Sequence, residues 1–375
     1  MTRGVPYLSL GALLLLAFAG PAPAQTEGGL LLGTAEPGSL RRPAPVLASD
    51  VHVEVAGVLA RTRLTQIFRN PSDQPLEAVY VFPLPLGAAV DGLSLAIGQR
   101  AVRGRIVERA EAEGVGRQAL AEGRKTAVLT REGPELFSVA VGAIAPGEEV
   151  DVVLDLQQMV AVEGGRFTLR FPMVARSAPG LPEEAAAGSA APRRKASTTG
   201  TPSLVNPFDL HVDLYPGIRL GRIASHSHTV RVAEKPGPLY TVDLERAASA
   251  DRDFVLSWEP VTGVEAQAAL YAEEREGERY VLLMVMLPAG APGLSDVAVR
   301  WDDAAAETWP RSLPSFKRGG SLVVAARLAP TASLAVLSGR RGGAPWEVVL
   351  PLSGAAPSPG IAKLWARLKV EALSS

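Results

Sequence analysis

Apolar positions along this chain fall mostly two apart. Val51, Val53 and Val55 alternate with His52 and Glu54, and Leu64, Ile67 and Phe68 carry an apolar side onward to Asn70-Pro71-Ser72-Asp73. A period of two marks a half-buried strand and the Asn-Pro-Ser-Asp cluster a turn, so this stretch predicts a hairpin. Leu93, Leu95 and Ile97 repeat the alternation up to a turn at Gly98, and strands resume over 136–174 with turns at Pro146-Gly147 and Gly164-Gly165. Beyond residue 208, FDLHVDLYPGIRL and LYTVDL again alternate, a hairpin is expected around Arg275-Glu276-Gly277, and residues 280–287 are apolar on both faces, as in a strand at the middle of a sheet. SDVAVRW, SLVVAARL, SLAVLSG and WEVVLPL predict four more strands.

Two segments break this rhythm. Residues 105–129 are rich in Ala, Glu and Arg at roughly helical spacing, which predicts a helical insertion interrupted near 114–116. Ile361, Leu364, Trp365 and Leu368 form one face of a C-terminal amphipathic helix. Pro, Gly and small residues dominate 25–45, expected as a flexible lead-in, and 177–207, expected as a disordered linker. The division is then 1–24, 25–45, a first domain over 46–176, the linker, and a second β domain over 208–375. The fold class is mainly β.

With 375 residues, 47% of them hydrophobic and 21% charged, the chain has material for one large or two modest cores. A formal net charge of −1 offers no basic face for nucleic acid. Arg3, the apolar run 7–19 and Ala22-Pro23-Ala24 predict a secretory leader cleaved after Ala24, hence an exported, periplasmic or secreted protein with no membrane span after cleavage. The chain has no cysteine, so packing must replace disulfides.

QIFRN (66–70), EAVYVFPLPLGAAVDGL (77–93), GRIVERAEAE (104–113), ALAEGRKTAVL (119–129), LFSVAVGAIAPGEEV (136–150) and RFTLRFPMV (166–174) together resemble the VIT domain, the module named for vault proteins and inter-α-trypsin inhibitor heavy chains. The resemblance covers about 45–179 and implies a β-sandwich-type domain with one helical insertion. It also implies kinship with exported proteins that carry a von Willebrand factor A domain, whose Asp-x-Ser-x-Ser metal signature occurs nowhere in this sequence. The segments 206–288 and 294–375 resemble the flanks of such an A domain, joined near 288–294.

The candidate chemistry is sparse. His226 and His228, placed on one strand face, have the spacing of two zinc or copper ligands, with His211 as a possible third, against the alternative of two exposed histidines. Asp251 and Asp253, with Asp302 and Asp303, lie in expected loops where calcium sites form, but Asp is also a turn former. Glu148, Glu149 and Asp151 are read as keeping a strand edge soluble. Gly114-x-Gly116 resembles a dinucleotide loop but follows no strand. No hydrolase, zincin or phosphate-loop motif is present and no cofactor is expected. The tryptophans Trp258, Trp301, Trp309, Trp346 and Trp365 are expected to share a core more than a binding patch.

The sequence therefore predicts a non-enzymatic interaction protein with an unidentified protein or matrix partner. The alternatives are a metal-dependent binder or hydrolase built on His226 and His228, and a relative that lost its adhesive function together with the A domain.

Overall fold

The computed structural model describes residues 25–27, 29–34, 41–98, 100–104, 129–131, 136–176, 207–237, 239–261, 266–287, 293–313 and 319–374. The leader, residues 105–128 of the expected helical insertion with Gly114-x-Gly116, residues 177–206 of the expected linker and residues 288–292 of the expected 288–294 join lie outside these residues, while Leu129, Pro207 and Leu294 each begin a strand. What is described is mainly β, as the alternation predicts, with a helix at Ile361–Ser374.

One sheet organises the molecule. Its order is Val230–Lys235, Leu239–Leu244, Pro207–Tyr215, Val46–Ala56, Leu59–Arg69, Glu149–Met159, Ala89–Ile97 and Arg100–Gly104. Val51, Val53 and Val55 of Val46–Ala56 point inward and are fully buried, so the valines that alternate in sequence line the core and His52 and Glu54 face outward. Inward residues of a five-stranded sheet (Leu30, Tyr80, Phe82, Phe137) and a four-stranded sheet (Phe167, Phe171, Phe254, Trp258) close the same core. Phe167 and Trp258 are register partners on neighbouring strands, and their rings stack 5.6 Å apart. Such a stack adds about 0.5–1.5 kcal/mol beyond area burial.

The regions on either side of the 177–207 segment share sheets. Pro207–Tyr215 runs parallel to Val46–Ala56, and Phe254–Pro260 pairs with Arg166–Phe171. A single core cluster draws on residues from Leu30 to Leu364. The lead-in expected to be flexible also contributes: Gly29–Gly33 pairs with Leu76–Pro83, and Leu30, Leu31 and Leu32 are buried. Three consecutive leucines bury enough apolar surface to order a segment whose surroundings are Gly- and Pro-rich. The first hairpin turns at Gly57, not at Asn70; the Asn70 turn instead carries the chain from the central sheet into the five-stranded one.

Residues 280–287 take the central place expected of them. Glu278–Met286 lies between Gln267–Arg275 and Ser321–Leu328. Leu282, Met284 and Met286 face the large core, while Leu283, Val285 and Leu287 face a second core roofed by the sheet Leu294–Trp301, Leu334–Arg341 and Ala344–Pro351.

Two contacts tie this part to the first. Tyr271 lies against Gly57 and Gly217, both at positive φ, where a Cβ would come within 2.8 Å and 2.5 Å of the tyrosine; glycine is needed there for conformation and for space. The Tyr271 hydroxyl donates to the Tyr215 carbonyl at 2.8 Å. The C-terminal helix is the second tie. Ile361, Leu364 and Trp365 are buried as the apolar face predicts, and Glu273 on a strand accepts from the Gly360 and Ala362 amides, capping a helix whose own first turn has no acidic residue. Lys363 pairs with Asp91, and Gln157 donates to the Gly360 carbonyl, so the helix straps both parts.

Tyr271→Phe removes one hydrogen bond while keeping the ring, and is expected to cost about 1 kcal/mol in denaturant unfolding. Tyr271→Ala empties the glycine notch and is expected to cost about 3–5 kcal/mol. Equal losses for the two variants would show that the ring is not what fills the joint.

Candidate functional site

The polar signature residues of the first region are structural. Asn70 is fully buried, and its amide nitrogen donates to the Gln74, Ile144 and Ala145 carbonyls at 2.9, 3.0 and 3.2 Å, while its oxygen accepts from the Ser72 amide and hydroxyl. Gln66 accepts from the Tyr80 hydroxyl at 2.7 Å and donates to Ser49. Burial pushes the Tyr80 phenol far above its ordinary value and keeps it a neutral donor. Buried polar groups this fully satisfied hold a fold in register and are not free for chemistry.

Most of the other acidic candidates are likewise engaged. Glu148 accepts from the Ala145 amide and pairs with Arg100, and Glu149 pairs with Arg69. Asp302 accepts from the Ser333 hydroxyl and amide and the Leu334 amide, bonds that hold its carboxyl below the usual range. Asp303 accepts from the Ala305 and Ala329 amides. Both are turn formers in this structure.

His226 and His228 do not share a strand face. Leu220–Ser225 ends before them, and they occupy a bend. His226 is exposed and lines a groove beside Arg166, Arg222 and Glu259, whose carboxylate is taken up by Arg166. His228 is buried between Phe208 and Phe254, with ring centroids 5.4 and 5.8 Å away; its Nδ1 meets Ser227 Oγ at 2.9 Å, and its Nε2 is buried without a partner. Asp253 is taken up by Arg170 and the Met173 amide, and Asp251 pairs with Arg252. The bend separates what strand alternation was expected to align.

The third histidine of that reading, His211, sits elsewhere, on the outward face of the central sheet. Parallel pairing sets His211 directly beside His52, and antiparallel pairing sets Asp243 on its other side. The two histidine rings meet edge to face with centroids 5.1 Å apart. Asp213 lies between them, one oxygen 3.0 Å from His52 Nε2 and the other 3.2 Å from His211 Nε2. His211 Nδ1 is 2.6 Å from Asp243. Burial alone would lower the His211 imidazolium, but hydrogen bonds to Asp243 and Asp213 carry it above its ordinary value. His52 drew no notice in the sequence, although a signal exists. Val51-His52-Val53-Glu54-Val55 and Leu210-His211-Val212-Asp213-Leu214 have one pattern and pair residue for residue.

Next to the cluster the same face continues as a polar groove lined by His52, Glu54, Arg61, Arg63, Asp91 and Asp155. Arg63 grips both oxygens of Asp155, and Arg61 pairs with Glu54. These side chains stay open to solvent, Arg63 at 64% and Glu54 at 53% exposure, so the groove is open and not a closed chamber.

Comparison with known proteins supports the resemblance to the VIT domain. Residues 46–156 match the model of the vault protein inter-alpha-trypsin domain. The mouse protein mono-ADP-ribosyltransferase PARP4 is 33% identical over 108 residues, 28% of this chain and 6% of that protein. Human von Willebrand factor A domain-containing protein 5A is 26% identical over 134 residues, 34% of this chain and 17% of that protein. The matches thus span a small part of these relatives. Among solved structures, a putative nutrient binding protein of Legionella pneumophila aligns over 64% of this chain and 72% of its own at 10% identity and a TM-score of 0.34. An M1 zinc metallopeptidase of Deinococcus radiodurans aligns over 67% and 45% at 12% identity and a TM-score of 0.30. Neither structural likeness is close enough to inform activity. No helix among the described residues is long and apolar enough to cross a membrane.

The buried His228 yields a pH prediction. Burial, reinforced by Arg252, lowers its proton affinity in the fold. The unfolded chain therefore takes up a proton near pH 6.5 that the folded chain refuses, and stability falls as pH drops from that value toward the lower folded one. His228→Gln should flatten this decline in melting temperature between about pH 7 and 5 relative to the native chain. Parallel profiles for the two proteins would contradict the assignment.

Proposed function

We propose that this chain is a non-enzymatic interaction protein that is exported through its N-terminal leader and binds a protein partner in the envelope or extracellular space. The observation that carries this reading is the open charged face of the central sheet. Its ion pairs alternate in sign, Glu54 against Arg61, then Arg63 against Asp155, and they remain solvent-accessible. Complementary charge on a partner would set orientation and speed encounter there. The polar residues of the VIT match support the reading from the other side, because Asn70, Gln66 and Tyr80 are spent on structure.

Strand addition is less favoured at the sheet of Leu294–Trp301, Leu334–Arg341 and Ala344–Pro351. The edge strand Ala344–Pro351 carries Pro345 and Pro351, and the edge strand Leu294–Trp301 is interrupted between Ser295 and Ala298, with Asp296 at positive φ. Prolines and bulges of this kind discourage added strands. The transferase activity in the name of the mouse relative has no support here, since the match covers 6% of that protein.

A photo-crosslinking residue at position 54 of the full chain, produced in a cell that exports it, tests the proposal. One discrete protein adduct is expected there, absent from the same probe at position 276 and lost when Arg61 and Arg63 are both changed to Glu. No adduct, or equal adducts at both positions, would contradict it.

A further inference from the structure

The structure points to a metal site that the proposed partner binding does not require: we infer that His52, His211 and Asp213 bind a zinc-type divalent cation across the seam between Val46–Ala56 and Pro207–Tyr215. One ligand atom from each of the three residues falls within 4.8 Å of the others. The oxygen-to-nitrogen distances, 3.0 and 3.2 Å, are close to the roughly 3.3 Å that separates two ligand atoms on a tetrahedral zinc. The half-exposed histidines leave the cluster accessible from solvent.

Asp243 adds the feature that distinguishes this cluster from a chance surface group. Its contact with His211 Nδ1 at 2.6 Å fixes the ring so that Nε2 is directed at Asp213. Metal-bound histidines are held in this way by an outer carboxylate. With Nδ1 held by Asp243, the ligand atom that His211 offers is Nε2, and a cation binding there takes the place of the proton in the Nε2···Asp213 hydrogen bond.

The ligand set selects the ion. Two imidazoles and a carboxylate suit zinc and neighbouring late transition-metal dications, whereas calcium and magnesium require mainly oxygen ligands. Three protein ligands leave a coordination position for water or for an acidic or imidazole group of another molecule. Because the ligands come from strands about 160 residues apart, a bound ion would also cross-link the seam.

The chain has four histidines and no cysteine, so the test is compact. Chelator-treated full chain is titrated with zinc alone by calorimetry, its bound metal is counted by elemental analysis, and cobalt(II) is used for its tetrahedral absorption bands. One equivalent is expected, with a higher melting temperature in zinc. Asp243→Asn should weaken binding roughly 10–100-fold, and His52→Ala or His211→Ala by more than that. His226→Ala should leave it unchanged. Circular dichroism checks that each variant is folded, and the outward position of His52 keeps at least that variant informative. No stoichiometric uptake, uptake that survives both His52→Ala and His211→Ala, or uptake lost in His226→Ala would overturn the site.

Discussion

The parallel pairing of Val46–Ala56 with Pro207–Tyr215 is the constraint on which the rest of the structure depends. Seven consecutive register pairs, from Asp50 with Asp209 to Ala56 with Tyr215, join strands far apart in sequence. Inward, the seam buries Val51, Val53 and Val55 beside Leu210, Val212 and Leu214 in one core. Outward, it sets His52 and His211 side by side. At its end, Gly57 and Gly217 lie together around Tyr271 and anchor the sheets that follow. A single pairing therefore determines core continuity, the outward cluster and the joint between the two parts.

Parallel neighbours need a long crossover, and the entropy of closing it opposes the contact. The structure offsets this with several attachments. Phe254–Pro260 pairs with Arg166–Phe171, Trp258 stacks on Phe167, and the C-terminal helix reaches back to Asp91 and Gln157. Strands from residue 207 onward thus complete sheets begun before residue 176, and the VIT match at 46–156 covers only part of those sheets.

What was legible in the sequence follows from the range of each signal. Alternation located the strands, the two-sided apolar run 280–287 found the central strand of the second part, and the spacing of Ile361, Leu364 and Trp365 found the helix. Gly98, Gly164-Gly165 and Gly277 marked real turns. A parallel seam leaves no turn or period of its own, so the alternation in 208–215 read as the start of a separate domain. Gly- and Pro-rich composition around Leu30, Leu31 and Leu32 hid a buried strand. The metal reading fell on His226 and His228 because two histidines two residues apart look like strand neighbours, while the matching pair, His52 and His211, meets only through the fold.

The most direct test of the account is native-state hydrogen exchange on the full chain. If the seam organises the fold, amides of 46–56, 59–69 and 207–215 will exchange together, at the free energy of global unfolding. Exchange of 207–215 through a much cheaper local opening, with 46–69 still protected, would show that the later strands are an attachment to an independently stable first domain.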